Sequence, residues 1–169
     1  MIPPGALASG LQKTLQATLA ALEVRLTQQQ AAKSGLTWVY HRGVPDAKSL
    51  PVDPISVWLA PMSAVQNHEY ETFASTVFIV TWGVHIVVQD TGRDLAGYDV
   101  ARAIDALAAV EKMLTDENSD STLDASVEFT QENDWAFEIG SVSGQNRRVG
   151  MWRIRLQTVN PILQRDQDA

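Results

Sequence analysis

The run from Ser75 to Asp90 constrains this chain more than any other segment. Phe78, Val80, Trp82, Val84, Ile86 and Val88 alternate with Val77, Ile79, Thr81, Gly83, His85, Val87 and Gln89. That is the two-residue period of a β-strand, whose successive side chains point to opposite faces. At about 3.3 Å per residue the strand would run roughly 50 Å if straight, so it is expected to bend near Gly83 or to reach beyond its own subunit. One face is wholly apolar and the other half apolar. Both therefore need cover, expected first from a helix of the same chain and second from a neighbouring subunit.

Two amphipathic helices can supply that layer. Leu7, Leu11, Leu15, Leu19, Leu22 and Leu26 recur every three or four residues, with Gln, Thr, Lys and Arg on the other face; Pro3-Pro4 precedes the helix and Ser34-Gly35 closes it. The second helix is expected from about Asp94 to Leu114. Val100, Ile104, Leu107, Val110 and Leu114 form its buried stripe, and small alanines allow it to lie close to a sheet. Further strands are expected at Thr37–Tyr40, at Ile55–Ala60 ended by Pro61, at Ala125–Thr130, at Trp135–Val142, and at Val149–Val159 stopped by Pro161. Ser143-Gly144-Gln145-Asn146 has hairpin chemistry between the last two. The expected fold is α+β: a two-layer sandwich with a mixed, mostly antiparallel sheet and two main helices packed on it, in a single domain over residues 1–163. Residues 164–169 read as a flexible polar tail.

The chain has no cysteine, which excludes disulfides, thiolate catalysis and Cys-based metal sites. No basic leader followed by an apolar run opens it, and no apolar stretch is long enough for a membrane helix, so a soluble protein without membrane contact is expected. Among the histidines, His68-Glu69-Tyr70-Glu71 lacks the second His that a metalloprotease helix needs and reads as a solvated loop; His85 reads as a hydrogen-bonded structural residue. Asp94 is accounted for by helix capping, and Asp90, Asp94 and Asp99 find no third catalytic element. Thr91-Gly92-Arg93 is not a phosphate loop. No catalytic, cofactor-binding or metal residue is assigned, and no enzyme activity is expected.

Charge is distributed unevenly. The chain carries a net −7. Residues 1–50 hold five basic and two acidic groups, residues 51–146 three and sixteen, and residues 147–169 five and two. So acidic a middle repels phosphate, while basic ends and an acidic centre suit complementary subunit surfaces. The candidate subunit or partner contacts are Arg147, Arg148, Arg153 and Arg155 on the basic side and Glu128, Glu132 and Asp134 on the acidic side, with Trp135 as an aromatic anchor. Trp82 and Trp152 are expected in the core. Alternatively, these charges pair across the sheet within one subunit, or the arginines meet DNA phosphates in a channel.

The leucine-striped helix, the loop with short strands, and the run Thr76 to Val88 followed by Asp94-Leu95-Ala96-Gly97-Tyr98-Asp99-Val100-Ala101-Arg102-Ala103-Ile104-Asp105-Ala106-Leu107 resemble the tail terminator and tail completion proteins of long-tailed bacteriophages. The resemblance covers residues 5 to 160 and lies in layout, with no invariant motif. It implies a structural virion protein: a hexameric ring on the last ring of the tail tube, which stops polymerisation and offers the joining surface to the neck. The implied partners are further copies of itself, the tail tube protein, the neck or connector protein and, in contractile tails, the sheath, with DNA only as passing cargo. The implied location is the tail–neck junction of a virion assembled in the host cytoplasm. Another neck, head-completion or tail-tube protein is the alternative from the same class, a stand-alone adaptor without a ring is a further one, and a small carboxylate- and His-dependent enzyme is the one outside it.

Overall fold

The computed structural model describes residues 6–28, 36–46, 50, 53–72, 75–91, 100–115, 128–141 and 147–163; for 128–141, 147 and 148 it describes the course of the backbone. The elements run α1 (Ala6–Gln28), β1 (Val39–Arg42), β2 (Ile55–Gln66), a 3-10 turn (His68–Tyr70), β3 (Ser75–Thr91), α2 (Val100–Thr115), β4 (Glu128–Ser141) and β5 (Arg147–Leu163). The five strands form one sheet in the order β1-β2-β3-β5-β4. Among the described strands only β1 and β2 pair in parallel; the other pairs are antiparallel. The fold is the expected α+β arrangement, with helices packed on a mixed sheet.

Both helices lie on one face. Leu22 and Leu26 of α1 and Ala103, Ala106, Val110 and Met113 of α2 join Val80, Trp82, Val84, Ile86 and Val88 of β3 in one core, together with Ile154 and Leu156 of β5. The wholly apolar face of β3 is thus covered by its own chain; the half-apolar face contributes no residue to this cluster, though Val77, Val87 and Gln89 on it are also buried. β3 needs no partner beyond the chain to be paired: all of its residues from Ser75 to Thr91 are in register with β5, from Leu163 back to Arg147.

The buried stripe of α2 is rotated from the expected one. Ile104 is 53% exposed, while Ala103, Ala106 and Ala109 point inward with Val110, Met113 and Leu114. Alanines let the helix axis approach the sheet closely, and a larger residue at those positions would hold it away. The part of this helix expected before Val100 lies outside the described residues, as do the Ser143–Asn146 turn and the tail at 164–169.

Two prolines do not end their strands. β2 continues past Pro61 to Gln66, and β5 continues past Pro161 to Leu163. Each lies just beyond the last residue paired with an outer neighbour: β1 reaches only Leu59, and β4 only Val159. There the strand has an open side, and a missing N–H costs no ladder bond. The two strands expected at 125–130 and 135–142 are one strand, β4, whose pairing with β5 shifts between Thr130 and Asp134. Such an irregularity inserts residues into one strand without ending the ladder.

Polar groups also enter the core. Thr18, expected on the solvent side of α1, is fully buried, as are Thr158 and Asn160. Asn160 Nδ2 donates to Thr18 Oγ1 at 2.9 Å and to Thr14 Oγ1 at 3.1 Å, Thr158 donates to Asn160 Oδ1 at 2.7 Å, and Trp82 Nε1 donates to Thr158 Oγ1 at 2.9 Å. Thr18 in turn donates to the Thr14 carbonyl at 2.8 Å. A buried network of this kind is stable because each member has a partner, and it fixes how far along the sheet α1 can sit.

Side chains from elsewhere in the chain satisfy carbonyls in the last turns of both helices, which lack partners inside the helix. Trp38 Nε1 donates to Leu26 O at 2.9 Å, and Arg25 donates to Leu114 O at 2.8 Å. Arg42 grips Glu23 with Nε at 3.0 and 3.1 Å from its two oxygens, tying β1 to α1. Tyr40 beside them has its phenol pushed upward, first by burial and then by the Glu23 charge.

Candidate functional site

The face of the sheet turned away from the helices carries polar and aromatic side chains in register. One row runs across all five strands: His41 opposite Trp58, Trp58 opposite His85, His85 opposite Arg153, and Arg153 opposite Ala136. Residues directly opposite share a face and lie within side-chain reach. The His41 and Trp58 rings are stacked, with centroids 4.3 Å apart and planes 18° from parallel. Trp58 Nε1 donates to Ser56 Oγ at 3.0 Å, which directs the indole along the strand. The next row places Ala60 opposite Gly83 and Gly83 opposite Arg155, itself opposite Asp134.

Gly83 forms a notch in this face. A Cβ there would lie 2.8 Å from Met62 Sδ and 3.2 Å from its Cγ, so the thioether rests against the strand where a side chain would otherwise stand. Met62 reaches this position from the register shift between Pro61 and Ser63, and it remains 55% exposed. Arg153 and Arg155 are exposed, whereas Trp58, His41 and His85 are half-buried.

The histidines here are under-satisfied. His85 Nδ1 and His41 Nε2 are buried without a hydrogen bond; for His41 the Asp53 carboxylate stands 4.0 Å away. The expectation of a hydrogen-bonded His85 is therefore corrected at Nδ1. Burial, and secondarily the Arg153 charge, lower its pKa from the ordinary 6.5, because both oppose a second positive charge.

His68 lies elsewhere, in the 3-10 turn rather than in a loop. Asn67 Oδ1 accepts from Glu69 N at 2.9 Å and caps that turn. His68 Nδ1 is 3.2 Å from Glu71 Oε2, and Gln66 donates to the other Glu71 oxygen. These bonds, Gln66 first, hold the Glu71 carboxyl below its usual range. No group of three potential metal ligands occurs among the described residues. A half-open cleft of about 270 Å³ lies between the start of β1, the start of β2 and α2, with Asp53 and Arg102 as its charged lining. No helix among the described residues is long and apolar enough to cross a membrane.

Of the sequence-predicted contacts, Arg153 and Arg155 are placed on the open face. The side chains of Arg147, Arg148, Trp135, Glu128, Glu132 and Asp134 lie outside the described residues, but their backbone positions are informative. Arg148 is in register with Asp90 and Ser141, Arg147 with Thr91, Glu128 with Val159, and Trp135 with Ile154, a core position. β4, with four carboxylates and no basic residue, runs directly beside β5, with four arginines. The acidic and basic clusters are thus strand neighbours within one chain. His41, Trp58, Met62 and Gly83 were not singled out by the sequence as one patch, because their proximity follows from strand register.

No protein-family model and no curated protein matches this chain. A chain from a solved structure described as the virion of a native gene transfer agent (GTA) particle is similar to it, with a TM-score of 0.46 and 18% identity, over 83% of this chain and 93% of that chain.

Proposed function

We propose that this chain is a structural subunit of a virion: a ring-forming protein that caps the tail tube of a long-tailed bacteriophage and offers the joining surface to the neck. Its open sheet face is a partner surface in this reading, and its chemistry is recognition, not catalysis. The observation that carries the assembly half is the arrangement of Trp58, Met62, His85, Arg153 and Arg155 on the face opposite the helix-covered core, with Met62, Arg153 and Arg155 exposed. Aromatic residues, Met and Arg are the side chains enriched at protein interfaces. The phage half rests on the order of elements quoted above for the tail terminator and tail completion family. Copies of the chain, the tube protein and the neck protein are the proposed partners, with the sheath added in contractile tails. Arg147, Arg148, Trp135, Glu128, Glu132 and Asp134 are proposed, with Arg153 and Arg155, as contributors to these contacts.

The test is mass measurement in solution with negative-stain imaging, and addition of the protein to polymerising tube subunits. Closed rings and shorter tubes are expected. In an Arg153→Glu/Arg155→Glu variant, rings should be lost while the circular dichroism spectrum and thermal midpoint stay near wild type. Normal rings in that variant would remove the two arginines from the interface.

A further inference from the structure

Beside the short outer strand β1, two longer edges of the described sheet have no strand next to them, and they differ in kind. β1 pairs only with Ser56–Leu59, so among the described residues β2 from Pro61 to Gln66 has β3 on one side and no strand on the other. All six of these residues are exposed, including Val65 at 63% and Met62 at 55%. None is charged. Native sheets commonly guard such edges with lysines, inward charges, prolines or bulges. Here Pro61 and the register shift guard only the beginning. Ser63 to Gln66 keep a regular ladder with Thr81 to Phe78, which leaves a row of outward N–H and C=O groups. The other edge, β4, lies last in the sheet and carries Glu128, Glu132, Asp134 and Glu138 with no cation.

We infer that the bare half of β2 in one copy receives β4 of the next copy, so that the sheet continues from subunit to subunit. The charges select this pairing. Two β4 strands side by side would set four carboxylates against four, and like charges opposite one another destabilise a ladder. The uncharged β2 half meets β4 without that repulsion. Two β2 edges could also pair, but this would stop at two copies and leave both β4 edges bare. Using each of these two edges once is a head-to-tail contact, which leaves neither of them open when the rotation closes. The inference rests on the ring reading proposed above and adds an edge-to-edge contact between copies to the open-face contacts proposed there.

The absence of cysteine makes a direct test available. Ser63→Cys is combined in turn with Thr130→Cys, Ala136→Cys and Gly140→Cys, at positions of β4 in register with the open face. Within one chain β2 and β4 are separated by β3 and β5, roughly 14 Å at about 4.8 Å per strand. A disulfide needs Cα atoms within about 7 Å, so any bond that forms joins two chains. Mild oxidation of at least one double variant should give a ladder of covalent oligomers above the dimer, collapsing to monomer with reductant, while Ser63→Cys alone stays monomeric. Dimers from Ser63→Cys alone, with no ladder, would overturn the pairing in favour of a two-fold contact. No disulfide in any variant whose rings persist by native mass would overturn it and leave the ring reading standing. No rings and no disulfides from well-folded variants would overturn both.

Discussion

The two faces of the sheet are made from the same strands and finished in different ways. On the helix side, the buried polar residues Asn160, Thr158 and Thr18 are joined in one network: Asn160 meets Thr14, Thr18 and Thr158, and Trp82 completes it. On the open side, ring nitrogens of His41 and His85 are buried without partners, and a methionine fills a glycine notch. A face completed by its own chain tolerates little change; a face left for something else tolerates more. The comparison can be broken by substitutions on each side.

The largest effect is expected at Asn160. Replacing it with Leu removes one acceptor and two donated bonds from a fully buried site, and strands the Thr158 hydroxyl. A loss of about 2–4 kcal/mol is expected, since each orphaned buried group costs about 1–3 kcal/mol. The denaturant midpoint should fall with an unchanged slope. Adding Thr14→Val and Thr18→Val should recover part of the loss, because two of the three partners are then apolar and only Thr158 keeps an orphaned hydroxyl. Equal stability of the single and triple variants would mean that the network contributes only shape.

This network also marks the limit of what the sequence discloses. The leucine stripe of α1, the alternation of β3, the second helix and the in-out pattern of Trp152 to Gln157 are local periodicities and are legible as such. Thr14 and Thr18 read as solvent-side residues because their partner Asn160 lies 146 and 142 positions away. Ile104 reads as core because helical spacing alone does not say which side of a small-residue stripe meets the sheet. Pro61 and Pro161 read as strand ends because only the full strand order shows that each has an open side. At the candidate site, the exposed alternation of Arg153 and Arg155 was legible. The stacking of His41 on Trp58 and the seat of Met62 over Gly83 required the register. So did the placement of β4's acidic residues beside β5's basic ones, which the charge map had left open between one chain and two.

A smaller effect is expected at Gly83 on the open face. In Gly83→Ala the new methyl would meet Met62 Sδ at 2.8 Å, and the thioether must swing aside. The obstacle is the far part of a flexible side chain, so the cost should be about 1 kcal/mol, at the mild end of overpacking. Gly83→Ala in a Met62→Ala background should cost close to nothing. A loss that persists without Met62 would show that the backbone at Gly83, not the methionine, requires glycine. If ring formation suffers more than stability in Gly83→Ala, the displaced Met62 belongs to a contact surface.

The smallest effect is the pH response of His85, which faces Trp58 across one ladder and Arg153 across the other. Its pKa in the folded chain lies below the ordinary 6.5, through burial first and Arg153 second. The unfolded chain therefore takes up the proton more readily. The stability tied to this group is fully present above 6.5, shrinks as the pH falls below that value, and levels off once the pH has passed below the folded-state pKa. His85→Gln, neutral throughout, should lose less stability than wild type between pH 7 and pH 5.5, with the two compared by denaturant midpoint. Arg153→Gln removes the secondary cause and should reduce the wild-type slope without abolishing it. The order of the two variants separates burial from charge: if Arg153→Gln flattens the slope as fully as His85→Gln, the arginine rather than the buried position governs His85. If neither changes the slope, the acid sensitivity of the fold lies outside this row, and the open face is electrostatically passive.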